Sequence, residues 1–370
     1  MNILHLSAVK NWGGGEKHIE NLCLELGFLA PEIVNIIFCP HNSQFQKLLK
    51  KQGFKVITAH LDFKMDPRYF LKLVKVCKNQ KIDLIHIHDS TALTLAIMGD
   101  HLEDLPPFIF SKKTSFPIQA RKSSLYKYNY PKLKKILCVS KKTKAISEEN
   151  ISDHEKIQCI YHGTSLRDKA TIHAFSIKEY LKLDEDALII GNIANHIWPK
   201  DLKTFIRVAD ELVNNQKIKG LHFVQIGAFS ALTPTFKKLI KHLKLENHLS
   251  LLDKIPEASA FIPQFDISLM TSESEGIPQF IYESFYHKVP VVSTDVGGIP
   301  EVITHKENGF LAPAHDYKKL ADAVLTLIKN PDLRIKFTDI SKEKLHRNFT
   351  SEIMAYQTLN EYKSIVHGSA

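Results

Sequence analysis

What this chain lacks narrows it first. No stretch of its 370 residues reaches the run of about 18 apolar residues that crosses a bilayer as a helix. The opening, MNILHLSAVKNW, is too short in its apolar part for a secretory leader and reads as a first strand, so a cytoplasmic location is expected. Cysteine is scarce and unpaired in pattern. Cys23, Cys39, Cys77, Cys138 and Cys159 form no CxxC and mostly sit in apolar runs such as IIFC. That argues against a disulfide framework and for small buried hydrophobes in a reducing compartment. There is no internal repeat or low-complexity tract, and 44% apolar against 24% charged residues excludes a disordered chain.

One absence is local. Between Pro106 and Ile146 there is no acidic residue, while Lys112, Lys113, Arg121, Lys122, Lys127, Lys132, Lys134, Lys135, Lys141, Lys142 and Lys144 all fall there. Phe116, Tyr126, Tyr128 and Tyr130 are interleaved with them, and the whole chain carries a net charge of +9. Such a segment fits a solvated basic face, or peripheral contact with an anionic membrane or an anionic glycolipid. No nucleic-acid-binding motif accompanies the charge, so nucleic acid is not an expected partner.

What is present is a rhythm. Short apolar runs alternate with amphipathic helical patterns: Ile3–Leu6, Val34–Cys39, Val56–Thr58, Leu84–Ile87, Phe108–Phe110 and Ile136–Val139 in the first half. Leu188–Ile193, His222–Ile226, Ile267–Met270 and Val289–Ser293 follow in the second. Between the first two runs, Ile19, Leu22, Cys23 and Leu26 recur at helical spacing. Alternation of this kind predicts parallel α/β sheets covered on both faces. Two such series, separated by a polar stretch near residues 163–187, predict two Rossmann-like domains. Asp184-Glu185-Asp186, formally a DxD, reads as part of that solvated linker.

The densest chemistry lies in Thr271–Glu301. Glu275 sits in a Ser/Glu/Gly loop before Pro278, which can open a helix, and Glu283 falls about two turns further on. Gly297-Gly298 leads into another helical segment. Loops feeding helix N-termini converge backbone N–H groups and positive dipole ends, which suits a diphosphate. Adjacent carboxylates suit the hydroxyls of a sugar and a ribose. Gly13-Gly14-Gly15 after the first strand offers another close backbone approach to phosphate. His86 and His88 share one face at the end of a strand, followed by Asp89, and read as a site wall or as packed strand-end histidines; a metal is not expected.

Ser272-x-x-Glu275-Gly276-x-Pro278, the EX7E pair Glu275/Glu283, Pro290-Val291-Val292 and Gly297-Gly298-x-Pro300-Glu301 resemble the GT4 family of glycosyltransferases. The first half matches more loosely, through Ile3–Leu6, Gly13-Gly14-Gly15-Glu16 and Ile87-His88-Asp89. The resemblance implies a GT-B fold: two Rossmann-like domains facing each other across a cleft, with a C-terminal helix crossing back to the first. It places an acceptor-binding domain at 1–165, a nucleotide-sugar-binding domain at 166–345 and the returning helix at 346–370. It further implies retaining transfer from a nucleoside-diphosphate sugar to a glycan or glycolipid acceptor, in envelope polysaccharide or lipopolysaccharide synthesis. No metal or other cofactor is expected.

By the same resemblance Glu275 contacts the transferred sugar and, with Lys200, carries the catalysis. Glu283 binds the ribose, while Gly13, Gly14 and the backbone around Gly276, Ile277 and Pro278 hold the donor phosphates. Lys200 stands at the lysine of an Arg-x4-Lys pair, whose arginine position is here the uncharged Asn195; either His196 or another base substitutes, or the leaving group is stabilised less strongly. A histidine common after the strand Phe108–Phe110 is also missing. Lys112 and Lys113 stand there and, with His88, are assigned to the acceptor side. A non-catalytic sugar-nucleotide-binding relative is the alternative. A nicotinamide oxidoreductase would need GxGxxG, which GGGEKH does not supply, and would leave EX7E unexplained.

Overall fold

A computed structural model describes residues 1–166 and 175–368 of the chain. The contacts divide it into two compact units, Met1–Ser165 with Thr350–Ala370, and Leu166–Phe349. Residues 167–174, within the expected linker, lie outside the described residues.

In the first unit β1 (Asn2–Leu6), β2 (Val34–Pro40), β3 (Val56–Ala59), β4 (Leu84–Ile87), β5 (Phe108–Lys112), β6 (Leu133–Cys138) and β7 (Ile157–Cys159) form one parallel sheet in the order β3-β2-β1-β4-β5-β6-β7. In the second, β8 (Leu188–Ile193), β9 (Leu221–Ile226), β10 (Leu249–Leu252), β11 (Ile267–Met270), β12 (Val291–Thr294) and β13 (Phe310–Ala312) pair in the order β10-β9-β8-β11-β12-β13. The central strands are buried on both faces, as β4 and β11 are along their whole length, which is why they read as unbroken apolar runs. The doubly wound α/β architecture expected of both halves is present. In each sheet the winding direction reverses between two neighbours, β1 and β4 or β8 and β11. Such a reversal opens a crevice at the strands' carboxyl ends, where ligands bind in this fold.

The strands the sequence did not announce are β7, β10 and β13. All three are sheet edges of only three or four residues, and an edge needs no long apolar run because one side faces solvent. The strand expected at Val289 starts at Val291, beyond Pro290, whose missing N–H and fixed φ suit a strand entrance.

The final helix, Ser351–His367, belongs to the first unit. It packs Met354, Ala355, Leu359, Tyr362 and Ile365 against Ile3, Leu22, Leu26 and Leu84. Burying each large apolar side chain there contributes about 1.5–3 kcal/mol, so the helix is an integral part of that core. The returning chain passes so close to Gly163 that a Cβ there would lie 2.0 Å from the Thr350 carbonyl carbon. Among the described residues, no helix is long and apolar enough to cross a membrane.

Candidate functional site

The crevice of the second unit is built by the loops leaving β8 and β11. After β8 the chain passes Gly227 so tightly that a Cβ there would lie 1.9 Å from the Ala194 carbonyl oxygen. It then makes a short turn, Trp198–Lys200, and enters the helix Leu202–Asp210 through Asp201, whose φ of +40° is costly for a residue with a side chain. Several bonds hold that turn. The Asp201 carboxylate caps Thr204 N and meets His315 Nδ1 at 2.9 Å. Thr271 Oγ1 donates to the Lys200 and Asp201 carbonyls at 3.2 and 3.1 Å, and Glu273 N donates to Pro199 O at 2.8 Å.

This scaffold aims Lys200 at Glu275. The ammonium donates to Glu275 Oε1 at 2.5 Å, and Ser272 Oγ donates to the same oxygen at 2.7 Å. Ser272 is buried, and its own carbonyl accepts from Thr294 Oγ1, so the carboxylate rests on a fixed platform. Gly298 N donates to Gly276 O at 2.7 Å and ties in the loop after β12. A cation and an oriented carboxylate, side by side at a switch-point crevice, can offset charge on a leaving diphosphate while receiving sugar hydroxyls. Ser272, a small polar residue of the loop, thus helps to orient the Glu275 carboxylate.

Glu283 lies half-buried in the helix Gln279–Tyr286, about one turn from its start. Gly297 adopts φ +58°, a left-handed conformation that glycine takes without steric cost, but the helix it precedes, Ile299–Val302, has four residues and a correspondingly small dipole. Asn195 is exposed and accepts from Ala228 N at 3.1 Å. His196 cannot take the arginine's part. It is buried, its ring nitrogens meet Thr233 Oγ1 at 2.8 Å and Gln225 Oε1 at 2.6 Å, and burial lowers its pKa, so it stays neutral.

Residues 12–168 match the model described as Glycosyltransferase Family 4, and residues 184–330 match that of Glycosyl transferases group 1. The chain is 22% identical to N-acetyl-alpha-D-glucosaminyl L-malate synthase of Bacillus anthracis, over 78% of this chain and 77% of that protein. It is also 22% identical to UDP-Gal:alpha-D-GlcNAc-diphosphoundecaprenol alpha-1,3-galactosyltransferase of Escherichia coli, over 73% and 72%. Anabaena Alr3699/HepE in complex with UDP-glucose has the same fold, with TM-score 0.84, 17% identity and coverage of 98% of this chain and 100% of that one. The protein is therefore a GT-B glycosyltransferase.

In this glycosyltransferase the glycine-rich loop lies on the first unit. The helix Gly14–Leu29 starts there with Gly13 extended and no side-chain cap. A Cβ on Gly14 would meet nothing within 4 Å, and none of Gly13, Gly14 and Gly15 has positive φ. The chain's own packing does not require these glycines, so what they provide is open space at a helix N-terminus. Glu16 turns back onto the Gly13 amide, and burial raises its pKa while Lys113 nearby lowers it.

Lys112 and Lys113, adjacent in sequence, part company. Lys112 is buried, and its ammonium binds the Thr114 and Phe116 carbonyls at 2.5 and 2.9 Å, tethering its own loop. Lys113 reaches over and donates to Gly15 O at 2.9 Å, and desolvation lowers its pKa to about 8. His88 is buried at the end of β4 among His5, His18 and His86, and desolvation holds all four below the ordinary histidine range.

The acid-free segment is less open than its sequence suggests. Lys132 pairs with Asp100 and Asp104 at 2.7 and 2.5 Å, Lys135 with Glu361 at 3.6 Å and Lys144 with Glu148 at 3.8 Å. Arg121, Lys122, Lys134, Phe116 and Tyr126 are exposed.

Among the described residues, two groups bring three potential metal ligands within 4.8 Å of one another: His5, His86 and His88, and Asp201, Glu273 and His315. In the first, both nitrogens of His5 and of His86 already have hydrogen-bond partners. In the second, the Asp201 carboxylate is spent on Thr204 and His315.

Proposed function

We propose that this glycosyltransferase moves a sugar from a uridine diphosphate donor, with retention and without a metal ion, to a hydroxyl of an envelope glycan or glycolipid. The observation that carries this reading is the Lys200–Glu275–Ser272 cluster at the switch point of the second unit. Lys200 offsets charge on the departing diphosphate, and Glu275 orients the transferred sugar. Glu283 takes the ribose, and the amides around Gly276, Ile277 and Gln279 take phosphate. The open glycine loop at Gly13 and Gly14 offers amides to a donor phosphate, and Lys113 and His88 receive the acceptor, while Lys112 shapes its own loop.

Uridine is favoured by the relatives whose names include it, and a lipid-linked acceptor by the diphosphoundecaprenol galactosyltransferase. Retention with front-side attack needs no side-chain base, because a donor phosphate oxygen can take the acceptor proton. The exposed Arg121, Lys122 and Lys134, with Phe116 and Tyr126, fit an anionic membrane face on the cytoplasmic side.

The test is ligand-detected NMR with UDP, GDP, ADP, CMP and NAD, on the wild type and on Glu283→Ala. Binding of UDP, weakened in the variant, supports the reading. Binding of NAD alone, or of no nucleotide, overturns it.

A further inference from the structure

The first unit's crevice holds a chain of hydrogen bonds that ends on an unused nitrogen. It starts at Asn35 on β2, whose Oδ1 lies 3.1 Å from His5 Nε2. An amide oxygen only accepts, so the proton belongs to His5 Nε2. Neutral His5 then has a lone pair at Nδ1, which lies 3.1 Å from His88 Nε2 and takes the hydrogen bond from it. That places the His88 proton on Nε2 and leaves Nδ1 as a bare lone pair. His88 Nδ1 has no hydrogen-bond partner, although the residue is only 5% exposed. Nor has Nδ1 of His18, whose ring lies edge-on to that of His88 at 5.9 Å.

A buried acceptor without a donor is costly enough that such groups call for an explanation. Its place supplies one. His5 lies on β1 and His88 just beyond β4, the two strands between which the sheet reverses its winding. We propose that Asn35 and His5 are positioning residues that hold His88 in its Nε2-protonated tautomer, so that the Nδ1 lone pair accepts a hydrogen bond from a hydroxyl of the sugar acceptor. The inference rests on the reading of the first unit as acceptor-binding. The groups facing His88 are His5 from β1, His18 from the first helix, His86 from β4 and Lys113 after β5. Each of these disfavours the imidazolium, which could not accept, while the carboxylates of Glu16 and Asp89 act on Lys113 beside them. Burial lowers the His88 pKa further, in the same sense.

The experiment is long-range 1H–15N NMR of the full chain labelled at histidine nitrogen, with the octyl glycosides of glucose, galactose and N-acetylglucosamine as probes in the presence of UDP. The expected wild-type spectrum shows His88 protonated at Nε2, with its Nδ1 resonance moving as one glycoside is added. Asn35→Leu, close in shape but without the acceptor oxygen, should mix the two tautomers. It should raise the KM for that acceptor roughly fivefold to tenfold and leave the donor KM unchanged. A wild-type His88 protonated at Nδ1 would overturn the proposal, whatever the variant does. So would an Nδ1 resonance indifferent to all three glycosides, the behaviour expected of a nitrogen satisfied by an ordered water. Failure of the broader transferase reading would register separately, as absence of UDP binding and of sugar transfer.

Discussion

The two units share one winding and differ in what they place at the reversal. In the second, polar loops beyond β8 and β11 carry a lysine–glutamate pair that is partly exposed and charged. In the first, strand-borne histidines lie within the sheet layer, buried and neutral, and end in an orphan lone pair. A charged pair near solvent suits a dianionic leaving group, whereas a desolvated neutral acceptor suits a hydroxyl. The same backbone topology thus supports opposite electrostatics, because it fixes where a ligand can sit and leaves the loops to decide which.

The comparison breaks most sharply if the charged crevice is emptied. Lys200→Met should lower kcat roughly 10²- to 10³-fold with little loss of donor binding, and Glu275→Gln should do much the same, both read by initial rates at saturating donor. Retention of full activity by either would move the chemistry elsewhere. Glu283→Ala, one step removed, should weaken UDP binding roughly 10-fold to 100-fold by titration, the range for a hydrogen bond to a charged group.

Acid should sharpen the contrast between units. A histidine whose folded pKa is depressed contributes stability that is present above its unfolded pKa, about 6.5, and is lost as pH falls toward the folded value. For His5 that value is about 4, and His18, His86 and His88 are lowered in the same crevice. In the second unit His222, also near 4, and His196 are lowered. Below pH 6.5 each such group costs up to about 1.4 kcal/mol per pH unit, so the first unit should lose stability faster. Hydrogen exchange at pH 7.5 and 5.5 would show protection falling first around β1 and β4; equal loss in both units would contradict it.

A smaller effect separates two glycines of the first unit. Gly14→Ala should keep or raise stability by about 0.5–1 kcal/mol, since its Cβ meets open space in a helix, yet slow transfer. Gly163→Ala should destabilise the fold, because its Cβ would strike the Thr350 backbone. Thermal melts and rates on both variants decide this. Least of all in energy, alkylation should reach half-buried Cys159 first; burial pushes the Cys39 and Cys77 thiols up to about 12 and leaves them inert.

Much of the fold was legible because its central strands are buried on both faces and therefore continuously apolar. Leu84–Ile87, Leu188–Ile193 and Ile267–Met270 fall where the pattern put them. The edge strands Ile157–Cys159, Leu249–Leu252 and Phe310–Ala312 were not, since a short, half-covered strand leaves no such pattern. In the candidate site, Glu275 and Glu283 stood out by spacing and Lys200 by the family resemblance. His5 and Asn35 did not, because a histidine inside HLS and an asparagine inside VNIIF look like ordinary strand residues until β1, β2 and β4 are laid side by side.

From sequence alone came the properties that depend on composition and local period, namely two α/β units and the absence of a long apolar span, together with a carboxylate pair whose setting resembles glycosyltransferase family 4. Tertiary structure decided what depends on partners distant in the chain. It buried Lys112 and sent Lys113 to the glycine loop, neutralised His196, and gave Lys132 the acids its own segment lacks. The reason is physical: period records whether a residue faces the core, while charge state and hydrogen bonding are set by whichever groups the fold brings within about 3 Å.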